Sequence, residues 1–102
     1  MARFIVTAHA KQDVRDIISD LHRRAGHSVA SRYAADFKDV YRNLAQFPNS
    51  GPSRLALGPI ARIKIVYPYV VVYDCDAGGV TVLRVLHGRR DITVDLMKRW
   101  RS

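Results

Sequence analysis

Hydrophobic positions along the first half of the chain recur every three or four residues, which is the spacing of amphipathic helices. The pattern predicts one helix over residues 10–25 and a second over residues 28–46. Thr7 is placed to cap the first helix, and Gly26 is placed to end it. The face opposite the apolar stripe of the first helix is charged, and Asp13 belongs to that face. The first half therefore predicts two adjacent helices joined by a short link.

Extended segments account for most of the remaining chain. Residues 4–6 form a short apolar run that predicts a first strand. Residues 60–67 alternate between apolar and polar side chains, as a strand with one buried face does. In that strand Arg62 and Lys64 occupy the polar face, so we expect this face to be wet or functional.

The last third of the chain predicts two further strands and a short terminal element. Residues 69–73 are continuously apolar, which is typical of a central strand. A Gly-rich hairpin loop at 76–79 leads to a strand over 80–87, and residues 91–101 indicate a short C-terminal helix or tail. One strand, two helices and three strands predict a single α+β domain over residues 1–102. An α-hairpin would pack on a mostly antiparallel sheet.

The composition is strongly basic, with a formal net charge of +8 and a sequence pI of about 10.3. Thirteen of the seventeen cations are Arg, and all nine acidic residues are Asp. The planar guanidinium suits phosphate or carboxylate, so a polyanion or an acidic protein is the expected partner class. A plain nucleic-acid-binding module is a weaker alternative, because no clustered basic stripe with an aromatic platform is visible.

Several functional classes are disfavoured. Cys75 is the single cysteine, so an internal disulfide is excluded and a reducing compartment is expected. The histidines and Cys75 show no metal-ligand spacing, and we expect neither a metal nor another cofactor. No stretch approaches the ~20 apolar residues of a membrane span, and no signal peptide is visible. We therefore expect a cytoplasmic protein without a membrane partner.

Four local motifs follow one another along the chain. They are Ala10-x-x-Asp13-Val14-x-x-Ile17, Leu44-x-x-Phe47-Pro48-x-x-Gly51, Arg62 before Tyr69-Val70-Val71-Val72-Tyr73, and Val85-Leu86-His87-Gly88-Arg89-Arg90-Asp91. In this order they resemble the RelE/ParE superfamily of bacterial toxins. The resemblance covers nearly the whole chain. It implies a βααβββ toxin of a type II toxin–antitoxin system, of the plasmid stabilisation type. A ParD-like or other antitoxin would neutralise the toxin in a hetero-oligomer.

Two branches of that family imply different targets. ParE-like members are associated with inhibition of DNA gyrase, whereas RelE-like members cleave mRNA in the ribosome. Metal-independent RNA cleavage needs a base for the 2′-hydroxyl, a cation for the phosphorane and an acid for the leaving oxygen. By resemblance, Arg62, Arg84 and His87 are the candidate catalytic residues of a nuclease.

The set of candidate catalytic residues is nevertheless incomplete, which favours the ParE-like branch. The chain has no Glu, and no Tyr lies between Arg89 and Ser102 to match the C-terminal Tyr of other nucleases. The segment before the second strand, residues 53–58, carries one cation where nuclease members carry several. A structural alternative exists for each candidate. Arg62, like Lys64, would lie on the solvated face of an edge strand, Arg84 would pair with Asp74 on the neighbouring strand, and His87 would cap a strand end.

ParE-like toxins are thought to use their C-terminal region on the target, although a packed tail is the alternative interpretation of Trp100. The candidate target-binding residues are basic or aromatic: Arg54, Lys64, Arg89, Arg90, Arg99, Trp100 and Arg101. Exposed parts of the α-hairpin and of the sheet are expected to bind the antitoxin, as a helix in a groove or a strand at an edge.

Overall fold

The computed structural model describes residues 3–88 and 91–101, so the candidates Arg89 and Arg90 lie outside the described residues. Among the described residues no helix is long and apolar enough to cross a membrane. The elements follow in the order β1 (Arg3–Val6), α1 (Ala8–Ala25), α2 (His27–Gln46), a single 3-10 turn (Leu55–Leu57), β2 (Ala61–Val66), β3 (Tyr69–Asp76), β4 (Gly79–His87) and α3 (Val94–Arg101).

The ends of α1 are set by the two residues that the sequence indicated. The Thr7 hydroxyl accepts a hydrogen bond from the Ala10 backbone N–H, which places the helix start at Ala8, two residues before the predicted start. Gly26 has φ of 91°, donates its N–H to the His22 carbonyl and leads directly into α2. A side chain at this φ would be strained, so glycine is suited to the sharp link between the helices.

The strands form one sheet in the order β1-β4-β3-β2. The three C-terminal strands are antiparallel, and β1 lies parallel to β4, with Arg3 opposite Gly79 and Val6 opposite Val82. As predicted, β3 is an internal strand. It continues to Asp76, beyond the predicted end at residue 73, because its last residues pair with the start of β4 across the tight hairpin.

Apolar side chains cover both faces of the sheet, so the molecule has two cores. The helices α1 and α2 cover the first face, where Phe37 and Leu44 meet Val71 and Tyr73. The helix α3 and the 3-10 turn cover the second face. Their core consists of Leu57, Ala61, Val72, Leu83 and Met97. The predicted α+β architecture is confirmed, with α3 as a third layer over part of the sheet.

Candidate functional site

The candidate Arg84 is engaged in a partly buried ion pair with α1. Its Nε and Nη2 donate to the two oxygens of Asp13 at 2.7 and 2.9 Å. The same carboxylate accepts the Val85 backbone N–H at 3.0 Å. Val85 lies on the part of β4 that extends past the pairing with β1. The hydrogen bonds that Arg84 donates to Asp13 raise the pKa of Arg84, although burial opposes them, so the guanidinium stays charged. Asp13 therefore fixes α1 to the sheet edge.

Two sequence-based expectations are wrong at this point. Asp13 does not belong to the solvated face of α1, and Arg84 does not pair with Asp74. Arg84 lies opposite Val72, whereas Asp74 lies opposite Thr81, because the register shifts at an irregularity between Val72 and Tyr73. Asp74 instead binds Arg101 through two hydrogen bonds.

The candidate Arg62 holds the loop that follows α2. Its Nη1 donates to the carbonyl oxygens of Asn49 and Gly51 at 3.1 and 2.7 Å. Lys64, on the same face of β2, donates from Nζ to the Ser50 hydroxyl at 3.1 Å. Both cations are half-buried rather than fully solvated because the loop folds across them.

Tyr73 completes the attachment of this loop. Its buried hydroxyl donates to the Pro48 carbonyl and accepts the Gly51 N–H, each at 3.0 Å. Burial raises the pKa of Tyr73, so the hydroxyl remains protonated and able to donate. A side chain at Gly51 would overlap the Ile63 carbonyl oxygen and this hydroxyl. Loop packing therefore explains the glycine of the Phe47-Pro48-x-x-Gly51 motif.

His87 lies at the far end of β4, away from both arginines. Its ring contacts Tyr69 edge to face, with ring centroids 6.0 Å apart. The exposed imidazole borders an open groove of about 590 Å³, lined also by Ile65, Tyr67 and Val70 among other residues.

The candidate catalytic residues are not brought together. Arg62 is paired in register with Tyr73, and His87 with Tyr69, on the intervening strand β3. The Cα atoms of Arg62 and His87 are therefore about 16 Å apart, because four residues along a strand and two strand spacings separate them. The two guanidinium groups have protein partners. No shared point is visible where one phosphate could meet all three groups.

The C-terminal candidates lie on or beside α3. Trp100 is half-buried against the second core, and its ring faces the Arg84 guanidinium at 5.3 Å from the ring centroid. Arg101 binds Asp74 and the Leu57 carbonyl. Arg99 is exposed on α3, and Arg54 is exposed before the 3-10 turn that contacts α3. This region gathers four of the seven target-binding candidates.

Sequence reasoning missed the roles of Asp13, Tyr73 and Asp74. One signal was present, because Asp13 lies three residues after Ala10 and four before Ile17, within the apolar stripe of α1. A charge at such a position requires a buried partner. Within residues 3–88 and 91–101, no group of three or more His, Cys, Asp or Glu side chains is arranged to hold a metal ion.

Comparisons with known proteins agree with this architecture. A family model described as the ParE toxin of the type II toxin–antitoxin system parDE matches residues 4–92. Toxin ParE3 of Caulobacter vibrioides is 31% identical over 97% of this chain and 99% of its own length. Toxin RelE2 of the same organism is 32% identical over 88% of this chain and 99% of its own length.

A solved structure shares the fold. It is described as the chromosomal ParDE TA system from P. aeruginosa, and it superimposes with a TM-score of 0.71 at 20% identity. The match covers 85% of this chain and 96% of that one. The family-model match and the relative at 31% identity show that the chain belongs to the ParE toxin family of type II toxin–antitoxin systems.

Proposed function

We propose that the protein acts in the bacterial cytoplasm by binding and inhibiting DNA gyrase, and that a cognate ParD-like antitoxin neutralises it in a hetero-oligomer. Membership of the ParE family is the observation that carries this proposal. A net charge of +8 supports an acidic protein surface as the contact on the target.

The local geometry supports an inhibitor over a RelE-like mRNA endonuclease. Arg84 is bound to Asp13, and Arg62 is bound to loop carbonyls, so neither guanidinium is positioned for an incoming phosphate. His87 lies about 16 Å from Arg62 by strand spacing. Cleavage through these three residues would require both guanidinium groups to leave their partners.

For gyrase we propose a contact surface on the α3 side of the molecule. Arg54 and Arg99 are exposed there. Lys64, Trp100 and Arg101 are assigned a structural role, because their contacts hold the fold together. A surface formed by exposed cations next to α3 would meet acidic side chains on the target and increase the association rate.

The test uses purified toxin in a gyrase supercoiling assay, with mRNA integrity followed in induced cells. We expect supercoiling to be inhibited, and Arg54→Glu with Arg99→Glu to weaken inhibition at least tenfold. Lys38→Glu is the matched control for each of the two single reversals, because Lys38 is exposed on α2 across the sheet from α3. Unaffected supercoiling, together with cut mRNA and loss of toxicity in His87→Ala, would replace this proposal with the nuclease.

For the antitoxin we propose the groove beside His87. Tyr67 and Ile65 are 84% and 52% exposed there, which is unusual for large apolar side chains that lie side by side. Ile65 also lies on the free edge of β2. The Ile63 N–H points away from β3 and donates to the Pro52 carbonyl. Backbone groups two residues apart in a strand point to the same side, so the backbone N–H and C=O of Ile65 also point away from β3.

If the antitoxin binds at this groove, substitutions there should affect antitoxin binding and toxicity separately. Tyr67→Ala with Ile65→Asp should abolish co-purification with the antitoxin while leaving toxicity intact. Leu55→Asp is the control, because Leu55 is 75% exposed on the 3-10 turn beside α3. Retention of the antitoxin by the groove variant would place the antitoxin elsewhere on the toxin.

A further inference from the structure

The second core depends on one short helix. Met97 is the only α3 side chain that is fully buried, and it meets Leu57, Ala61, Val72 and Leu83. The sheet separates this small cluster from the larger core under α1 and α2. Removal of α3 would therefore expose the second sheet face without disturbing the packing on the first.

Two arginine–aspartate pairs reinforce the attachment of α3. Arg101 donates two hydrogen bonds to Asp74 of β3 and a third to the Leu57 carbonyl. Trp100 lies against the Arg84 guanidinium, which Asp13 holds in place. Both pairs are partly exposed, so dissolved salt can weaken them.

The helix itself has little intrinsic stability. It spans eight residues, from Val94 to Arg101, whereas isolated helices shorter than ~12–15 residues are marginal in water. Thr93 supplies a cap by accepting the Leu96 N–H at 3.2 Å, but one cap does not make so short a helix stable by itself. Undocking of α3 and unfolding of α3 should therefore be one event.

We propose that α3 is a detachable strap: it docks on the second sheet face through Met97, Trp100 and the Arg101–Asp74 pair. It opens as a unit while β1–β4, α1 and α2 remain folded. In the open state Ala61, Val72 and Leu83 face solvent, and Arg101 is released from Asp74. This property belongs to the chain alone and is independent of the identity of the target.

The full-length toxin contains its own probe, because Trp100 is the single tryptophan and lies on the strap. The experiment compares acrylamide quenching of Trp100 with far-ultraviolet circular dichroism as urea increases. A strap predicts that Trp100 becomes accessible at lower urea than the helical signal is lost. It also predicts that 0.5 M salt shifts the Trp100 transition further than it shifts the loss of the helical signal.

The decisive variant is Asp74→Asn, with Asp39→Asn as its matched control. The control makes the same substitution in the exposed Arg42–Asp39 pair on α2. Asp74→Asn should increase the open population at least about tenfold, since it removes the charge that accepts two hydrogen bonds from Arg101. The control should leave Trp100 quenching unchanged.

Hydrogen exchange of the unmodified protein provides an independent readout. A strap requires amides of α3 to exchange well before those of β3. The proposal is overturned if α3 and β3 amides exchange through the same global opening. Coincident Trp100 and circular dichroism transitions in both the parent and Asp74→Asn would equally overturn it.

Discussion

Replacement of Arg84 by Met tests whether the Arg84–Asp13 pair is structural. Methionine keeps much of the side-chain volume but removes both donors to the carboxylate. Asp13, whose side chain is 14% exposed, would retain the Val85 N–H as its remaining described donor. The Asp13 carboxylate would therefore remain charged and mostly buried after losing two of its hydrogen-bond donors, which is unfavourable.

The expected cost follows from the burial of the pair. Removing one partner of a buried ion pair costs about 3–5 kcal/mol, and the residual exposure of both side chains favours a value near 3 kcal/mol. For a domain of this size each kcal/mol lowers the Tm by roughly 4–8 °C. Arg84→Met should therefore lower the Tm by roughly 12–24 °C.

A double-mutant cycle read by urea unfolding separates the pair from its surroundings. The Asp13→Leu/Arg84→Met double variant should recover about 2 kcal/mol relative to the sum of the single variants, because no unpaired charge remains. Arg42→Met is the control and should change stability by less than about 0.5 kcal/mol. Additive single effects would refute the coupling, and a stable but non-toxic Arg84→Met variant would indicate a direct functional role.

Three other substitutions test local features. The Tyr41 hydroxyl is buried without a described partner, and burial, then the charge of Asp13, raises the pKa of Tyr41 to about 12. Stability linked to the neutral form of this hydroxyl is complete below pH 10 and is lost between pH 10 and 12, whereas burying the hydroxyl without a described partner costs stability at every pH. Tyr41→Phe should therefore gain about 1 kcal/mol at pH 8 in urea unfolding, and more at pH 11. Gly51→Ala should cost about 2 kcal/mol by displacing Tyr73, and an unchanged urea midpoint would contradict the packing account. Thr7→Ala should cost about 1–2 kcal/mol, because it removes both the α1 cap and a bond to β4; thermal unfolding measures it.

Local signals were sufficient to predict most of the fold. The apolar stripes gave α1 and α2, Thr7 and Gly26 marked the ends of α1, and the continuous run at residues 69–73 identified an internal strand. Each of these depends on neighbours within a few residues along the chain. The parallel pairing of β1 with β4 is not a local property, and the pattern did not specify it.

Side-chain partners at the candidate site were harder to predict. Asp74 was the reasonable partner for Arg84 on adjacent strands, but the irregularity after Val72 shifted the register. The true partner, Asp13, lies 71 residues away in sequence, on an element whose position over the sheet edge depends on the whole fold. Long-range pairs of this kind require the tertiary structure.

The pairing of β1 with β4 also constrains the order in which the chain can fold during synthesis. The first strand must wait for the last strand, because it pairs with β4 and because the Thr7 hydroxyl donates to the Leu83 carbonyl, 76 residues later. At about 5–20 residues per second, synthesis leaves β1 without its partner for several seconds. β1 therefore cannot join the sheet until residues 79–82 have been synthesised. During that interval its unpaired backbone groups and apolar side chains are available for incorrect pairing with other chains.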